Sequence, residues 1–323
     1  MIKNQLIKDN YAIYESDCMY VMPTIEDESI DLSVYSPPFA GLYNYSSSEN
    51  DFSNCETREQ FLGQYEFLIK EIARVTKPGR ISAVHITDIH EKDGSLWDFP
   101  HEVKLLHKKY GFKHMNTITI WKEPLKVRMR TMVRSLMHKL IVEDSTECFT
   151  AMPDYLLIFK KQGENLVPVT HPVGLSFYAG ATPVLPEMIE KYGDYSTLKK
   201  KYAGWSDPKT NKLSHIIWQR YASSVWDDIR IDEVLKFKES KDEDDEKHVH
   251  PLQLDVIHRV VELYSNPNEV VLTPFMGVGS EVYGAINLGR KGIGIELKDT
   301  YFNQSVKNLA ELDAKTHIQQ SLF

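Results

Sequence analysis

The sequence predicts an α/β fold: a mostly parallel sheet with helices on both faces, joined to a smaller region of different character. Three observations carry this. Residues 270–296 read as strand, glycine turn, helix and strand, the unit from which Rossmann-like folds are built. Residues 1–160 alternate short apolar runs with helical periods. Residues 162–235 lose that alternation and are richer in Tyr, Pro and Lys.

The first informative strand is Asp31-Leu-Ser-Val-Tyr35, which ends in Ser36-Pro37-Pro38-Phe39. Pro37 and Pro38 have fixed φ and no N–H, and Ser36 is pushed to an extended conformation by the proline after it. The product is a stiff turn whose carbonyls lack sheet partners. Those carbonyls and the Ser36 hydroxyl can accept hydrogen bonds from an NH₂ group, and Phe39 offers a face for a planar ring. A bland alternative is a strand ending in a Pro-Pro loop beside a core aromatic.

Residues 60–75 follow as the clearest helix, with Phe61, Leu62, Tyr65, Leu68, Ile69, Ile72 and Val75 on one side. Lys77-Pro78-Gly79 is read as its stop, and residues 81–86 as a strand. Residues 117–121 and 155–159 are two further strands, separated by a long basic excursion. It carries Lys122, Lys126, Arg128, Arg130, Arg134 and Lys139 against the single acid Glu123. An amphipathic helix is expected there, with Val127, Met132, Val133, Leu136 and Leu140 docked and the basic face turned to phosphates. In residues 191–220, Lys199, Lys200, Lys201 and Arg220 are interleaved with Tyr and Trp, a mixture that suits nucleic acid. A small domain with a partly exposed aromatic core explains it nearly as well.

Residues 236–248 are a charged run expected as a solvated linker. A helix over 252–264 then leads into Val270-Val-Leu-Thr-Pro-Phe-Met-Gly-Val-Gly-Ser280. Gly277 and Gly279 permit a tight turn and close approach to a ligand. A helix over 280–288 stops at Gly289, and the next strand ends at Glu296. That residue lies about twenty positions past the first glycine, where an acidic side chain meets ribose hydroxyls. The segment points to an adenosine-containing cofactor. A nicotinamide-binding turn fits less well, because the third glycine of that fingerprint is Val282 here. A final helix covers 301–312.

Together, Ser36-Pro37-Pro38-Phe39 and Pro274-Phe275-Met276-Gly277-Val278-Gly279 resemble the catalytic and cofactor motifs of the DNA amino-methyltransferases, which move a methyl group from S-adenosylmethionine to a base NH₂. The tetrapeptide resembles that of the N4-cytosine branch; the N6-adenine branch usually has Asp or Asn where Ser36 stands. The order, catalytic motif first, resembles the permuted β group, and the resemblance covers nearly the whole chain. It implies a Rossmann-like methyltransferase fold built from residues 1–161 and 249–323, a DNA-contact insertion at 122–150, and a target-recognition region at 162–235.

The resemblance also implies a cofactor site. Asp17-Cys18, followed by Met19, Met22 and Ile25 up to Asp31-Leu32, resembles the strand before the catalytic one, with Asp17 on the cofactor's adenine amine. Ser223-Ser-Val-Trp226 and His250-Pro-Leu-Gln253 resemble the segments before the cofactor strand, the latter near the methionine end. Tyr35, Thr273, Pro274, Phe275, Gly277, Gly279, Ser280, Glu296 and Leu297 complete the set. One position departs. Thr273 stands where members commonly have the Asp that holds the cofactor's ammonium, and it brings no charge.

The expected activity is N4-methylation of a cytosine flipped out of double-stranded DNA, with N6-adenine methylation and a cofactor-weak DNA-binding regulator as alternatives. A cognate restriction endonuclease is a possible partner, and the oligomeric state is open. A net charge of −8 requires positive charge to be concentrated locally if DNA is bound. No apolar run approaches a membrane span. The three cysteines are too far apart for a metal pattern and suit a reducing compartment, the cytoplasm of a bacterial or phage-infected cell.

Overall fold

In the computed structural model, residues 1–38, 55, 57–91, 95–240 and 251–321 are described. Phe39, His250 and positions 241–248 of the charged run lie outside them.

The chain opens with a hairpin of β1 (Asn4–Ile7) and β2 (Tyr11–Glu15) and the single turn α1 (Cys18–Val21). Next come β3 (Ile30–Tyr35), α2 (Arg58–Val75) and β4 (Thr76–Ile86). A ribbon of β5 (Ile89–His90) and β6 (Leu96–Trp97) precedes α3 (Phe99–Lys109) and β7 (Phe112–Ile120). The basic excursion holds α4 (Pro124–Thr131) and α5 (Lys139–Glu143) and returns as β8 (Asp154–Lys161). Three helices follow, α6 (Ile189–Tyr192), α7 (Tyr195–Lys201) and α8 (Lys212–Tyr221), then β9 (Val225–Trp226). The chain closes with α9 (Leu254–Tyr264), β10 (Val270–Thr273), α10 (Ser280–Asn287), β11 (Lys291–Glu296) and α11 (Asp299–Ser321).

Nine strands form one sheet in the order β1-β2-β11-β10-β3-β4-β8-β7-β9. Only β1 and β8 run against the rest. The sheet is therefore mostly parallel, as expected. Tyr35, Val84 and Ile86 pack with α2 and α3 on one face, and Val34 and Ala83 pack with α9 on the other. Burial on both faces explains why the central strands read as continuous apolar runs.

The strand order brings the two distant motifs together. Leu272 of β10 pairs with Ser33 of β3, and Tyr35 of β3 pairs with Val84 of β4. After β10 the chain crosses through α10 to β11; after β3 it crosses through α2 to β4, on the opposite side. The gap between β10 and β3 is thus a topological switch point, where open α/β sheets bind ligands.

Several expectations are corrected. Asp17-Cys18 is not in a strand: Asp17 caps α1, and the strand before it is β2. The sequence reading passed over that N-terminal hairpin, whose first strand is a short exposed edge. Lys77-Pro78-Gly79 does not break the chain after α2 but lies inside β4, where the β3 register shifts between Ile30 and Leu32. The basic excursion is not one amphipathic helix. Met132 adopts φ 55° and ends α4 there, so Met132 is exposed, and of the expected apolar face only Leu140 is fully buried. Residues 175–221 have their own core of Leu175, Tyr178, Val184, Leu198, Leu213, Ile216, Ile217 and Tyr221, whereas Trp226 has already rejoined the main sheet.

That helical region is pinned to α9 by Arg259, which is fully buried. Its guanidinium is 2.8 Å from Asp228 Oδ2, donates to the Ala179 carbonyl at 2.7 Å, and sits 4.8–5.2 Å from the rings of Tyr178, Tyr221 and Trp226. Charge pairing and cation–π contact together offset the desolvation of the guanidinium.

Candidate active site

A cavity of about 860 Å³ opens at the C-terminal ends of β3, β4, β10 and β11. Ser36, Pro37 and Pro38 rim it from β3, and Pro274, Phe275, Met276, Gly277 and Val278 from β10. Asp17, Cys18, Gln253, Ser280, Glu296 and Leu297 face the same space.

The β10 turn exists because Gly277 and Gly279 adopt φ 54° and 94°, a region side-chain-bearing residues rarely occupy. Met276 N–H donates to the Ile295 carbonyl at 2.8 Å, which ties the turn to β11. Glu296 braces it further: Oε2 accepts from Gly277 N–H at 2.7 Å and Oε1 from Lys298 N–H at 2.8 Å. Its carboxylate is thereby held at the mouth of the turn, at the end of β11. On the other side, Asp17 Oδ1 accepts from Met19 N–H at 2.8 Å and caps α1.

Several polar atoms here are buried without a partner. Ser280 Oγ and Gln253 Oε1 both are. Glu281, two residues past Gly279, is 4% exposed and lines the cavity. Burial pushes its carboxyl up to about 8, with a smaller push from Glu296. Orphaned polar groups in a cavity of this size call for a polar ligand. S-adenosylmethionine is the cofactor this site fits: the glycine turn, the Glu296 carboxylate at the end of β11 and apolar Phe275 and Leu297 all line one cavity. Among the described residues no His, Cys, Asp and Glu group could hold a metal ion.

Opposite the turn, a second polar cluster lines the cavity. His85, at the end of β4, is 8% exposed. Its Nε2 is 3.2 Å from Asp154 Oδ2, without hydrogen-bond alignment, and Lys122 Nζ donates to Asp154 Oδ1 at 2.5 Å. Burial alone would raise the Asp154 carboxyl, but His85 and Lys122 outweigh it and hold it at about 2. Ser36 follows Tyr35, which pairs with Val84, and His85 follows Val84 on the neighbouring strand; both line the cavity.

Four of the residues expected at the cofactor do not line the cavity. Tyr35 does not reach the cavity; it is buried under α2, its hydroxyl 3.2 Å from that of Tyr65. Trp226 is 1% exposed, donates to the Tyr221 carbonyl at 3.2 Å and forms a wall of the Arg259 box. Thr273 is 1% exposed behind the turn, and its hydroxyl has no partner. Gly279 shapes the turn without lining the space. His250 and Phe39 lie outside the described residues.

The basic residues divide. Arg128, Arg134 and Lys139 lie on the excursion, with Lys139 3.5 Å from Glu143. Lys126 reaches the cavity mouth. Lys122 is corrected: it points inward to Asp154 rather than outward. The Arg130 side chain lies outside the described set. Lys199, Lys200 and Lys201 are exposed on α7, away from the cavity lining. Arg220 is also corrected, being held by Asp227 at 2.6 Å and Asp228 at 3.5 Å.

Sequence reasoning missed His85, Asp154 and Glu281. No local signal marks the first two, which meet only through strand pairing. Glu281 did carry one: an acid inside the first turn of an otherwise apolar helix.

The buried groups predict a pH profile for the cofactor-free protein. Burial raises Glu281 to about 8 and Glu262 to about 7, so their contribution is complete below pH 4.5 and is lost progressively from there until pH has risen through 7–8. Burial lowers His107 to about 3 and His258 to about 4, so their contribution is complete above 6.5 and lost as pH falls. The two slopes oppose one another between 4.5 and 6.5. Thermal denaturation is expected to give a nearly flat Tm over that window, then a fall toward pH 8.5. A Tm still rising above pH 7 would contradict these environments.

The sheet order and the switch-point cavity define a class I S-adenosylmethionine-dependent methyltransferase fold. The family model N6_N4_Mtase, described as DNA methylase, matches residues 30–307, and the chain belongs to that family. The Type II methyltransferase M.BglII of Bacillus subtilis is 26% identical over 90% of this chain and 66% of its own length. M.BamHI of Bacillus amyloliquefaciens is 24% identical over 92% of this chain and 56% of its own. The chain thus spans about two thirds or less of these two relatives. M1.MboII of Moraxella bovis is 24% identical over 93% of this chain and 97% of its own. Among solved structures, the cytosine-N4-specific PvuII DNA methyltransferase superposes with a TM-score of 0.57 at 13% identity, covering 95% of this chain and 89% of that one. TTHA0409 of Thermus thermophilus, solved with S-adenosylmethionine, superposes at 0.58 with 18% identity, covering 94% and 95%. At such identities the likeness is one of fold.

Proposed function

We propose that this chain is a site-specific DNA methyltransferase acting on the exocyclic N4 amine of cytosine. The observation that carries the reading is the meeting of Ser36-Pro37-Pro38 with the Gly277–Gly279 turn in one cavity, with a hydroxyl rather than a carboxylate at the first position. When bound, S-adenosylmethionine supplies an electrophilic methyl group. The Ser36 hydroxyl and the Pro37 carbonyl accept hydrogen bonds from the amine and pull its nitrogen toward sp³ geometry. The lone pair then points away from the ring, toward the cofactor side. Proline rigidity keeps the acceptors fixed, so alignment supplies most of the rate. The target base must leave the duplex to reach so deep a cavity.

The methylated amine must shed a proton, which a serine hydroxyl does not retain at neutral pH. His85, which lines the same cavity as Ser36 and is backed by Asp154, is the group placed to take it. His85→Ala is expected to lower the single-turnover rate about 10²-fold while leaving cofactor affinity unchanged. Unchanged turnover in that variant would remove His85 from the reaction.

DNA lies across the excursion bearing Arg128, Arg134 and Lys139, with the helical region over 175–221 as the reader of sequence. The Type II relatives support a restriction endonuclease as partner and the cytoplasm as location. Among the described residues no helix is long and apolar enough to cross a membrane. The test is to incubate the protein with unmethylated plasmid and labelled S-adenosylmethionine and to identify the modified nucleoside by mass spectrometry. N4-methylcytosine is expected. N6-methyladenine would keep the mechanism and overturn the base; no product, with cofactor binding absent, would favour a DNA-binding regulator.

A further inference from the structure

The departure at Thr273 leaves a question of charge. The cofactor's methionine end carries an α-ammonium, and the uncharged Thr273 is 1% exposed behind the turn, outside the cavity lining. A buried ammonium without an anion is strongly disfavoured. A carboxylate must come from elsewhere, or affinity is lost.

We propose that Glu281 supplies it: the Glu281 carboxylate is the anionic partner of the cofactor's α-ammonium, replacing the charge that Thr273 lacks. This rests on the S-adenosylmethionine reading above. Four observations carry it. Glu281 is 4% exposed yet lines the cavity. Its backbone leaves Gly279 directly into the first turn of α10, beside Ser280, whose buried hydroxyl has no hydrogen-bond partner. Among the described residues no Lys, Arg or His lies within ion-pair distance of Glu281. Glu296, the lining carboxylate at the end of β11, is already engaged by two backbone N–H groups.

A buried carboxyl with no cation stays protonated at neutral pH, as the upward displacement of Glu281 to about 8 indicates. Such a group costs little while the site is empty. When an ammonium enters, the carboxyl ionises, and its proton leaves to solvent. Thr273 and Glu281 thus form a complementary pair of choices: an acid at the strand end is dispensable when one stands in the following helical turn. The Ser280 hydroxyl and Gln253 carbonyl oxygen, both orphaned, complete a polar end for the amino-acid portion.

Calorimetry of the full-length protein tests this with three probes. S-adenosylmethionine and S-adenosylhomocysteine both carry the ammonium, and 5′-methylthioadenosine carries neither ammonium nor carboxylate. Glu281→Gln, nearly isosteric, is expected to weaken the first two about 10–100-fold, as loss of a charged hydrogen bond does. Methylthioadenosine should change less than about twofold. Loss confined to S-adenosylmethionine would place Glu281 against the sulfonium and overturn the proposal, as would equal loss for all three. Wild type titrated near pH 7 in buffers of different ionisation enthalpy should release about one proton per S-adenosylmethionine bound and none with methylthioadenosine. That measurement stands even if the variant fails to fold; no proton release in wild type sinks the proposal. If wild-type protein binds methylthioadenosine but Glu281→Gln leaves S-adenosylmethionine unaffected, the site reading survives and this inference falls. Failure of wild type to bind any probe removes both.

Discussion

Replacing Ser36 by alanine is expected to lower the methylation rate about 10²–10³-fold while DNA and cofactor affinities stay within about twofold, because only alignment of the amine is lost. Pro37 is buried and Ser36 and Pro38 are half-buried at the cavity rim, so deleting one hydroxyl leaves the turn in place. The split between kcat and binding is the informative readout. Single-turnover kinetics at saturating cofactor isolate it. A variant as fast as wild type would take Ser36 out of the reaction and weaken the N4-cytosine reading. Parallel loss of rate and DNA affinity would recast Ser36 as a structural residue of the turn. The prediction also separates from that for His85: loss there acts on proton removal and should depend on pH, whereas loss of the Ser36 hydroxyl should not.

The largest stability effect is expected at Arg259. Arg259→Ala should cost about 3–5 kcal/mol, the usual consequence of removing one partner from a buried ion pair. The variant leaves Asp228, whose side chain is 8% exposed, with a displaced partner set, and opens space beneath Tyr178, Tyr221 and Trp226. Gly180 is what lets the pair form here: a Cβ at that position would stand 2.5 Å from Arg259 Nη2 and 2.6 Å from Asp228 Oδ2. Urea denaturation followed by tryptophan fluorescence reports it directly, since Trp226 is part of the box. A loss under about 1 kcal/mol would mean that Asp228 is satisfied by Tyr178 and Arg220 instead. Limited proteolysis should cut first within 162–235, because Arg259 is what ties that region to α9. Cofactor binding should outlast DNA methylation in the variant, because no residue of 175–221 lines the cavity.

Much of the fold was legible in the sequence because its central elements obey local rules. The β10–α10–β11 unit shows a buried apolar strand, two glycines where the backbone needs positive φ, and a helix stopped at Gly289. The helix over α2 has an apolar face repeated every three or four residues, and the structure extends it by only two residues at its start. Ser36-Pro37-Pro38 was visible because two prolines leave one backbone solution. The failures have a common cause. Trp226, Tyr35 and Arg220 are residue types that serve a ligand site and a core equally well, and only their neighbours decide. Lys122 belongs to a basic run by composition, but the β7–β8 pairing sets it beside Asp154, and the closer charge wins.

The sequence by itself determined the fold class, the family and the two turns that frame the site, because these depend on backbone constraints and on burial periodicity carried within a dozen residues. Tertiary structure decided which polar groups enter the cavity. His85, Asp154 and Glu281 acquire meaning from strand order and register, which place side chains distant in sequence on one side of the sheet and remove them from water. Burial and proximity in three dimensions, not residue type, set their charge states.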